Sequence, residues 1–420
     1  MKTSPWLVPW LAGGALAASA LICAAQAQPP NTSPPIQAPD AQAPSLAEAV
    51  EAAWLRSAAA AQSRGQQRLA RADQAVAGSW LSAAPALQLS QREGRGSAAG
   101  QRETEVGIAL PLWRLGARSA AGQAAQAELD WSSAAEAASR LHVAGQVREA
   151  AYGLRRLEAE LRLATTQLDL MRQLAQDVDR RVQAGDLAPA DAMAAQAEWL
   201  ASQAQQGDAR QQLQAQLAQW HLLTGWTRLA VPQAEVTLDA FVLNDAHPEL
   251  RLAAHAVERA QRKLALAQMQ RGSSPELGIS LRQERPGSGS PALNSVGVAL
   301  RLPFGGETHA QPRIAAALAE VDVALSQQQL LRDRLVAELE LARSQVGLSE
   351  SQARLEGQRA KLLRERARHI DKAFKAGETA LPELLRALSL AAQAEIASER
   401  QQAALQLAQA RLQQSQGLLP

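Results

Sequence analysis

The feature that most constrains this chain is an internal repeat. When the 420-residue sequence is laid on itself, five segments match in one order at an offset of 190 to 192 residues. Ser45-Leu46 falls on Thr237-Leu238, and PALQLSQRE from Pro85 falls on PELGISLRQ from Pro275. VGIALPL from Val106 falls on VGVALRL from Val296. The turn VQAGDLAPADAMAAQ from Val182 falls on FKAGETALPELLRAL from Phe374, and Gly225 falls on Gly417. A fixed long period marks one structural unit used twice. The sequence therefore divides into residues 45–228, a linker at 229–236 and a second copy at 237–420.

Both copies share one layout. A helix-rich run comes first (45–80 and 238–270). Two short segments of strict alternation follow, Leu87 and Leu89 with Val106, Ile108 and Leu110, then Leu277, Ile279 and Leu281 with Val296, Val298, Leu300 and Leu302. Alternation of period two is the strand signal. The Gly- and Ser-rich stretches REGRGSAAGQR and ERPGSGSPALN read as loops joining antiparallel pairs. No proline interrupts the chain between Pro111 and Pro189 or between Pro312 and Pro382. From Leu154 the apolar positions run Leu157, Leu161, Ala164, Leu168, Met171, Ala175, Val178 and Val182, the alternating three-four spacing of a coiled-coil seam. One helix over about 119–184 would be roughly 100 Å long. The repeated AGD and AGE turns then reverse the chain into a second long helix, once in each copy.

Composition agrees. Apolar residues make up 47 % but aromatic ones only 3 %, so close-packed Ala- and Leu-rich helices are favoured over a bulky core. Lys plus Arg is 43 and Asp plus Glu 41, a balance that argues against a nucleic-acid partner. The N-terminus, MKTSPWLVPWLAGGALAASALICAAQAQPP, reads as a secretory signal peptide over 1–27, with Ala25-Gln26-Ala27 as the cleavage site. Residues 28–44 are proline-rich and read as a disordered tail. The one cysteine, Cys23, lies inside the signal and follows Ile22 rather than a small residue, which argues against lipidation. A cleaved chain has no thiol for a disulfide, a metal or a nucleophile. No later run of 18 apolar residues exists, so entry into a membrane would be by strands. Four strands cannot close a barrel, and open edges are not tolerated in hydrocarbon, so several chains would have to share one.

The repeated halves, the strand ends GIALPLW and GVALRLPF leading into Ala-rich helices, and the AGD/AGE turns together resemble the TolC family of outer-membrane efflux ducts over residues 45–420. The HPELRLAAHAVERA run from His247 is most similar to the heavy-metal branch, the CzcC and CusC type. The first copy departs from that pattern, with Ala58–Gln62 where Asn-Pro-Glu-Leu is usual.

The resemblance implies a mainly α fold of long coiled-coil hairpins forming an α-barrel tunnel. Four β-strands per chain would complete a trimeric 12-stranded outer-membrane barrel. It implies a homotrimer in outer-membrane lipid, exported by its signal peptide and reaching through the periplasm. It implies docking on a periplasmic adaptor and a proton-driven inner-membrane pump, and passage of solutes, heavy-metal cations among them, to the exterior. The contrasting reading is a soluble periplasmic coiled-coil spacer with small β caps.

By the same resemblance, Asp191 and Glu383 sit at the periplasmic mouth as a gate. A second acid of some members is replaced by Arg386, an i,i+3 neighbour of Glu383 with which it could pair. Gly185 with Asp186 and Gly377 with Glu378 form the adaptor-contact turns. Gly185 and Gly377 are also expected as left-handed C-caps. Trp80, Trp113 and Phe304, at the strand–helix junctions, are expected as an aromatic girdle. The histidines, His142, His221, His247, His255, His309 and His369, form no i,i+4 pair or zinc-like pattern and read as polar helix-face residues. No cofactor or metal site and no catalytic constellation is expected, so the chain does not read as an enzyme.

Overall fold

The computed structural model describes residues 44–96, 99–230, 243–287 and 291–420, all within one structural unit. The signal peptide, the proline-rich tail before Pro44, most of the 229–236 linker and the Thr237-Leu238 end of the repeat lie outside the described residues.

The first copy folds as α1 (Leu46–Arg56), α2 (Ala58–Gly78), β1 (Ala86–Glu93), β2 (Arg102–Pro111), α3 (Ala117–Gln183) and α4 (Pro189–Thr224). The second folds as α5 (Pro248–Met269), β3 (Glu276–Arg285), β4 (Leu293–Arg301), α6 (Glu307–Lys375) and α7 (Leu381–Ser415). Two details differ from the sequence reading. The helix-rich run 45–80 breaks at Ser57, which caps α2 by accepting from the Ala60 N–H at 3.1 Å. And α6 starts before Pro312 and carries that proline inside it. Proline's φ is helical, so the loss there is one backbone bond in a helix of 69 residues.

At 1.5 Å per residue the 67 residues of α3 span about 100 Å. All nine of its seam positions are buried or half-buried. The shorter helices lie beside the long ones in pairs. With 21 and 36 residues, α2 and α4 together cover one flank of α3; with 22 and 35, α5 and α7 fill the space between α3 and α6. Among the described residues the backbones of α3 and α6 stay apart, and only side chains near the tips meet. Side by side the helices follow the order α2/α4, α3, α5/α7, α6, with α1 packed against α3 and α4, and α4 also touching α7.

The sheet is antiparallel in the order β1-β2-β3-β4. Its register aligns like with like. On one face the rows are Leu89–Val106–Leu281–Val296, Leu87–Ile108–Ile279–Val298 and Leu110–Leu277–Leu300. On the other face the matching rows are Gln88–Gly107–Ser280–Gly297 and Ala86–Ala109–Gly278–Ala299. Space on the small-residue face is tight. A Cβ added at Gly107 would meet the Ser280 side chain at 3.3 Å, and one at Gly297 would meet Ser280 Oγ at 3.0 Å. That inward face is crowded, and the outward face opposite it carries the leucine, isoleucine and valine rows. Leu302 lies just past the end of β4.

Two apolar clusters tie the wall together. Trp54, Val147, Leu154 and Trp220 join α1, α3 and α4 at mid-height. Met171, Val178, Phe374, Leu381 and Leu384 join the two hairpins near their tips.

Candidate functional site: the hairpin tips and the strand end

Both repeated turns close in the same way. Gly185 has φ +87° and Gly377 φ +79°, left-handed values that only glycine adopts without strain. The Asp186 N–H donates to Arg181 O at 2.8 Å and the Gly185 N–H to Val182 O at 3.0 Å. In the second copy, the Glu378 N–H donates to Ala373 O at 2.9 Å and the Gly377 N–H to Phe374 O at 3.0 Å. This is a Schellman cap written twice, and it answers why the turn sequence recurs: each long helix needs its last carbonyls satisfied before the chain reverses. A proline in the first turn then starts each return helix. Gly185, Asp186, Gly377 and Glu378 are all exposed.

The three charged residues expected at the mouth are placed differently. The Asp191 carboxylate is half-buried and accepts from the Ala188 N–H at 3.2 Å, so it serves the start of α4. Glu383 and Arg386 are exposed at the start of α7, and no ion pair joins them.

Sequence reasoning missed what locks the two tips to each other. The Arg181 guanidinium lies 5.1 Å from the centroid of the Phe374 ring and 3.0 Å from Asp177, so one cation on α3 grips both its own helix and the end of α6. Phe374 stands 193 positions after Arg181, and nothing in the local sequence of either helix signals that contact.

Higher up, a second cross-repeat link is charged. Glu160 of α3 is buried and takes Arg400 Nε of α7 and Arg156 NH1 of its own helix, each at 2.7 Å. The hydrogen bond to Glu160 raises the Arg400 pKa, against a smaller lowering by burial. Arg148 is likewise buried in α3 and donates to Gln414 Oε1 at 2.6 Å and Leu418 O at 2.9 Å.

His247 is 2 % exposed, not a surface histidine. Its Nδ1 accepts from the Glu249 N–H at 3.2 Å and so caps α5, and its ring lies against Gly417, where a Cβ would come within 2.6 Å of it. Burial lowers its pKa, partly offset by the Glu249 charge. Among the described residues no group of three or more His, Asp or Glu is arranged to hold a metal ion.

At the opposite end, Trp80 and Phe304 stand at the strand–helix junctions 87 % and 98 % exposed. Trp113 is half-buried, and its indole N–H donates to Ser79 O at 3.0 Å, so it packs the junction as well as bordering the sheet.

Comparison with known proteins agrees with this geometry. Residues 42–225 match the family described as outer membrane efflux protein. The chain is 26 % identical over 257 residues to the cobalt-zinc-cadmium resistance protein CzcC of Cupriavidus metallidurans, an alignment covering 59 % of this chain and 61 % of that one, less than two thirds of its length. Among solved structures, the outer membrane protein VceC of Vibrio cholerae superposes with a TM-score of 0.73 at 17 % identity, over 89 % of this chain and 96 % of VceC. CusC, described for its folding and transmembrane channel formation, superposes with a TM-score of 0.74 at 15 % identity, over 89 % and 92 %. The first repeat is thus similar in sequence to the outer membrane efflux proteins, and the wall and sheet share the fold of these channel structures.

Proposed function

We propose that the protein is the outer-membrane duct of a tripartite efflux system and works as a homotrimer. One observation carries this reading: both layers of the chain are open at both lateral edges. β1 and β4 are each hydrogen-bonded on one side only. The helical wall ends the same way, and its edges carry unpartnered apolar seams. On α6, Leu341, Leu348, Leu355 and Leu362 recur every seven residues and are all exposed; on the far edge, Leu69 and Val76 of α2 and Met193 and Leu200 of α4 are exposed at the same spacing. Heptad leucines facing water on a helix wall ask for a neighbouring helix. Copies joined edge to edge would close sheet and wall together in a ring. Three copies give twelve strands, within the range of closed membrane barrels, and the strands of eight to ten residues suit a tilted span.

In this reading the strand end sits in the outer membrane, with Trp80, Trp113 and Phe304 toward the periplasmic head groups. The tips reach roughly 100 Å into the periplasm. There the exposed turns at Gly185, Asp186, Gly377 and Glu378 meet a periplasmic adaptor served by a proton-driven inner-membrane pump. Asp191, Glu383 and Arg386 from three chains crowd around the closed mouth. Since Glu383 and Arg386 do not pair within a chain, we assign each a partner on a neighbouring chain, and adaptor docking breaks those pairs. The likeness to CzcC supports heavy-metal cations as the solutes, with selectivity set by the pump. A soluble periplasmic spacer does not account for the outward rows of leucine, isoleucine and valine on the sheet.

The test combines mass in mild detergent with conductance in planar bilayers. A trimer that conducts is expected. A monodisperse monomer, or a trimer that never conducts, overturns the reading.

A further inference from the structure

The outward face of the sheet changes character row by row away from the helices. Above the three apolar rows comes Gln91–Thr104–Gln283–Asn294, uncharged and linked by the Gln283 amide donating to Asn294 Oδ1 at 3.1 Å. Above that comes Glu93–Arg102–Arg285. Arg102 and Arg285 are direct partners on adjacent antiparallel strands, on one face, and both are exposed. Like charges directly opposite destabilise a strand pair. The single acid of the row, Glu93, lies 3.4 Å from Arg102 and none is paired with Arg285. The inward face at the same height is built otherwise. Glu103 there meets Arg282 at 3.1 Å and Arg92 at 3.9 Å, and Arg282 also meets Glu284 at 3.5 Å, so its cations are compensated.

We propose that Arg102 and Arg285 form a seat for the phosphate of an anionic lipid headgroup in the outer leaflet, an inference that rests on the duct reading above. Two guanidinium forks on neighbouring strands can bracket one phosphate and remove their mutual repulsion. The occupant is a lipid and not free phosphate because of what lies beneath. The uncharged polar row falls at the depth of a lipid's sugar and ester groups, and the leucine and valine rows at the depth of its acyl chains. The seat therefore fixes how high the barrel rides in the membrane and gathers phosphorylated lipid around it.

The experiment uses the detergent-purified full chain with diphosphoryl lipid A, with lipid A stripped of its phosphates, and with inorganic phosphate as competitor. Bound lipid is counted by native mass spectrometry. The diphosphoryl form should be retained in preference to the stripped form, and inorganic phosphate should not displace it. The R102Q/R285Q double variant should lose about tenfold in retention, since two charge-assisted contacts are removed. R102K/R285K, which keeps the charges, should lose less. R92Q, on the inward face, should bind as the parent does. Equal retention by R102Q/R285Q, equal binding of stripped lipid A, or displacement by inorganic phosphate overturns the seat. Bilayer conductance of the same preparations separates the two readings. Channels that conduct without preferring phosphorylated lipid sink the seat alone, while preparations that never insert sink the duct and the seat with it.

Discussion

His247 shows how much one buried polar residue can decide. As the N-cap of α5 its ring must accept through Nδ1, which only the neutral ring can do. Burial lowers its pKa below the ordinary value of 6.5. The sign follows: the folded state binds the proton less readily than the unfolded one, so this contribution is intact above about pH 6.5 and is lost as pH falls toward the folded pKa. His247→Asn keeps a capping acceptor without the titration. Unfolding midpoints of parent and variant should run parallel above that pH and diverge below it, the parent falling faster. The tip glycines act through backbone alone, because a Cβ at Gly185 or Gly377 would meet nothing within 4 Å. Gly185→Ala and Gly377→Ala should each cost about 1–2 kcal/mol, the penalty of a left-handed non-glycine residue. The same loss from Gly207→Ala, in the interior of α4 and also unobstructed, would show that the turns are not special. The glycines were legible because the turn is written twice. His247 was not: histidine is an uncommon cap, and its burial comes from Gly417, 170 positions away.

Individual elements were the most legible scale. Alternation located all four strands, and the proline-free run with its three-four seam located α3 to within two residues of each end. The misses came from local chemistry. Ser57 breaks the first helical run by capping, and it lacks the Glu three positions later that would have announced it. The proline-free stretch was counted from Pro312, and α6 begins before that proline and carries it inside. The register now decides which strand substitutions are harmful. Val298 faces outward, and Val298→Arg should cost about 2–4 kcal/mol near the bilayer midplane. Gly297 is a poor inward control, since any side chain there meets Ser280 Oγ at 3.0 Å. Ser90, paired with Glu105 on the inward face, is better, and Ser90→Arg should leave the amount of assembled protein unchanged. Equal loss of heat-resistant oligomer from both would reject the assigned faces. On the helical edge, Leu348→Glu with Leu355→Glu should shift the detergent mass from trimer to monomer while leaving helix content unchanged.

At the scale of the whole molecule, what the sequence concealed is how the two copies meet. The repeat implied two similar units. It did not imply that α7 of the second would lie along α3 of the first, because Ala- and Gln-rich faces offer little contrast to choose one neighbour over another. The choice is instead marked by charge. Glu160 receives Arg400 from 240 positions away, and Arg156 holds it from the same helix. A buried ion pair adds little net stability over an apolar contact, but stripping its partners leaves a charge that must be desolvated alone. Arg400 is more than half exposed, so its removal alone should be mild, Arg156 remaining in place. Arg156→Ala with Arg400→Ala should be severe, about 3–5 kcal/mol. Adding Glu160→Leu to the double variant should restore the unfolding midpoint at neutral pH. If it restores stability but the channel then fails to close in bilayer recordings, the network fixes the register of α7 on α3. If stability does not return, the cost lay in the packing of the arginine stems and not in the buried charge.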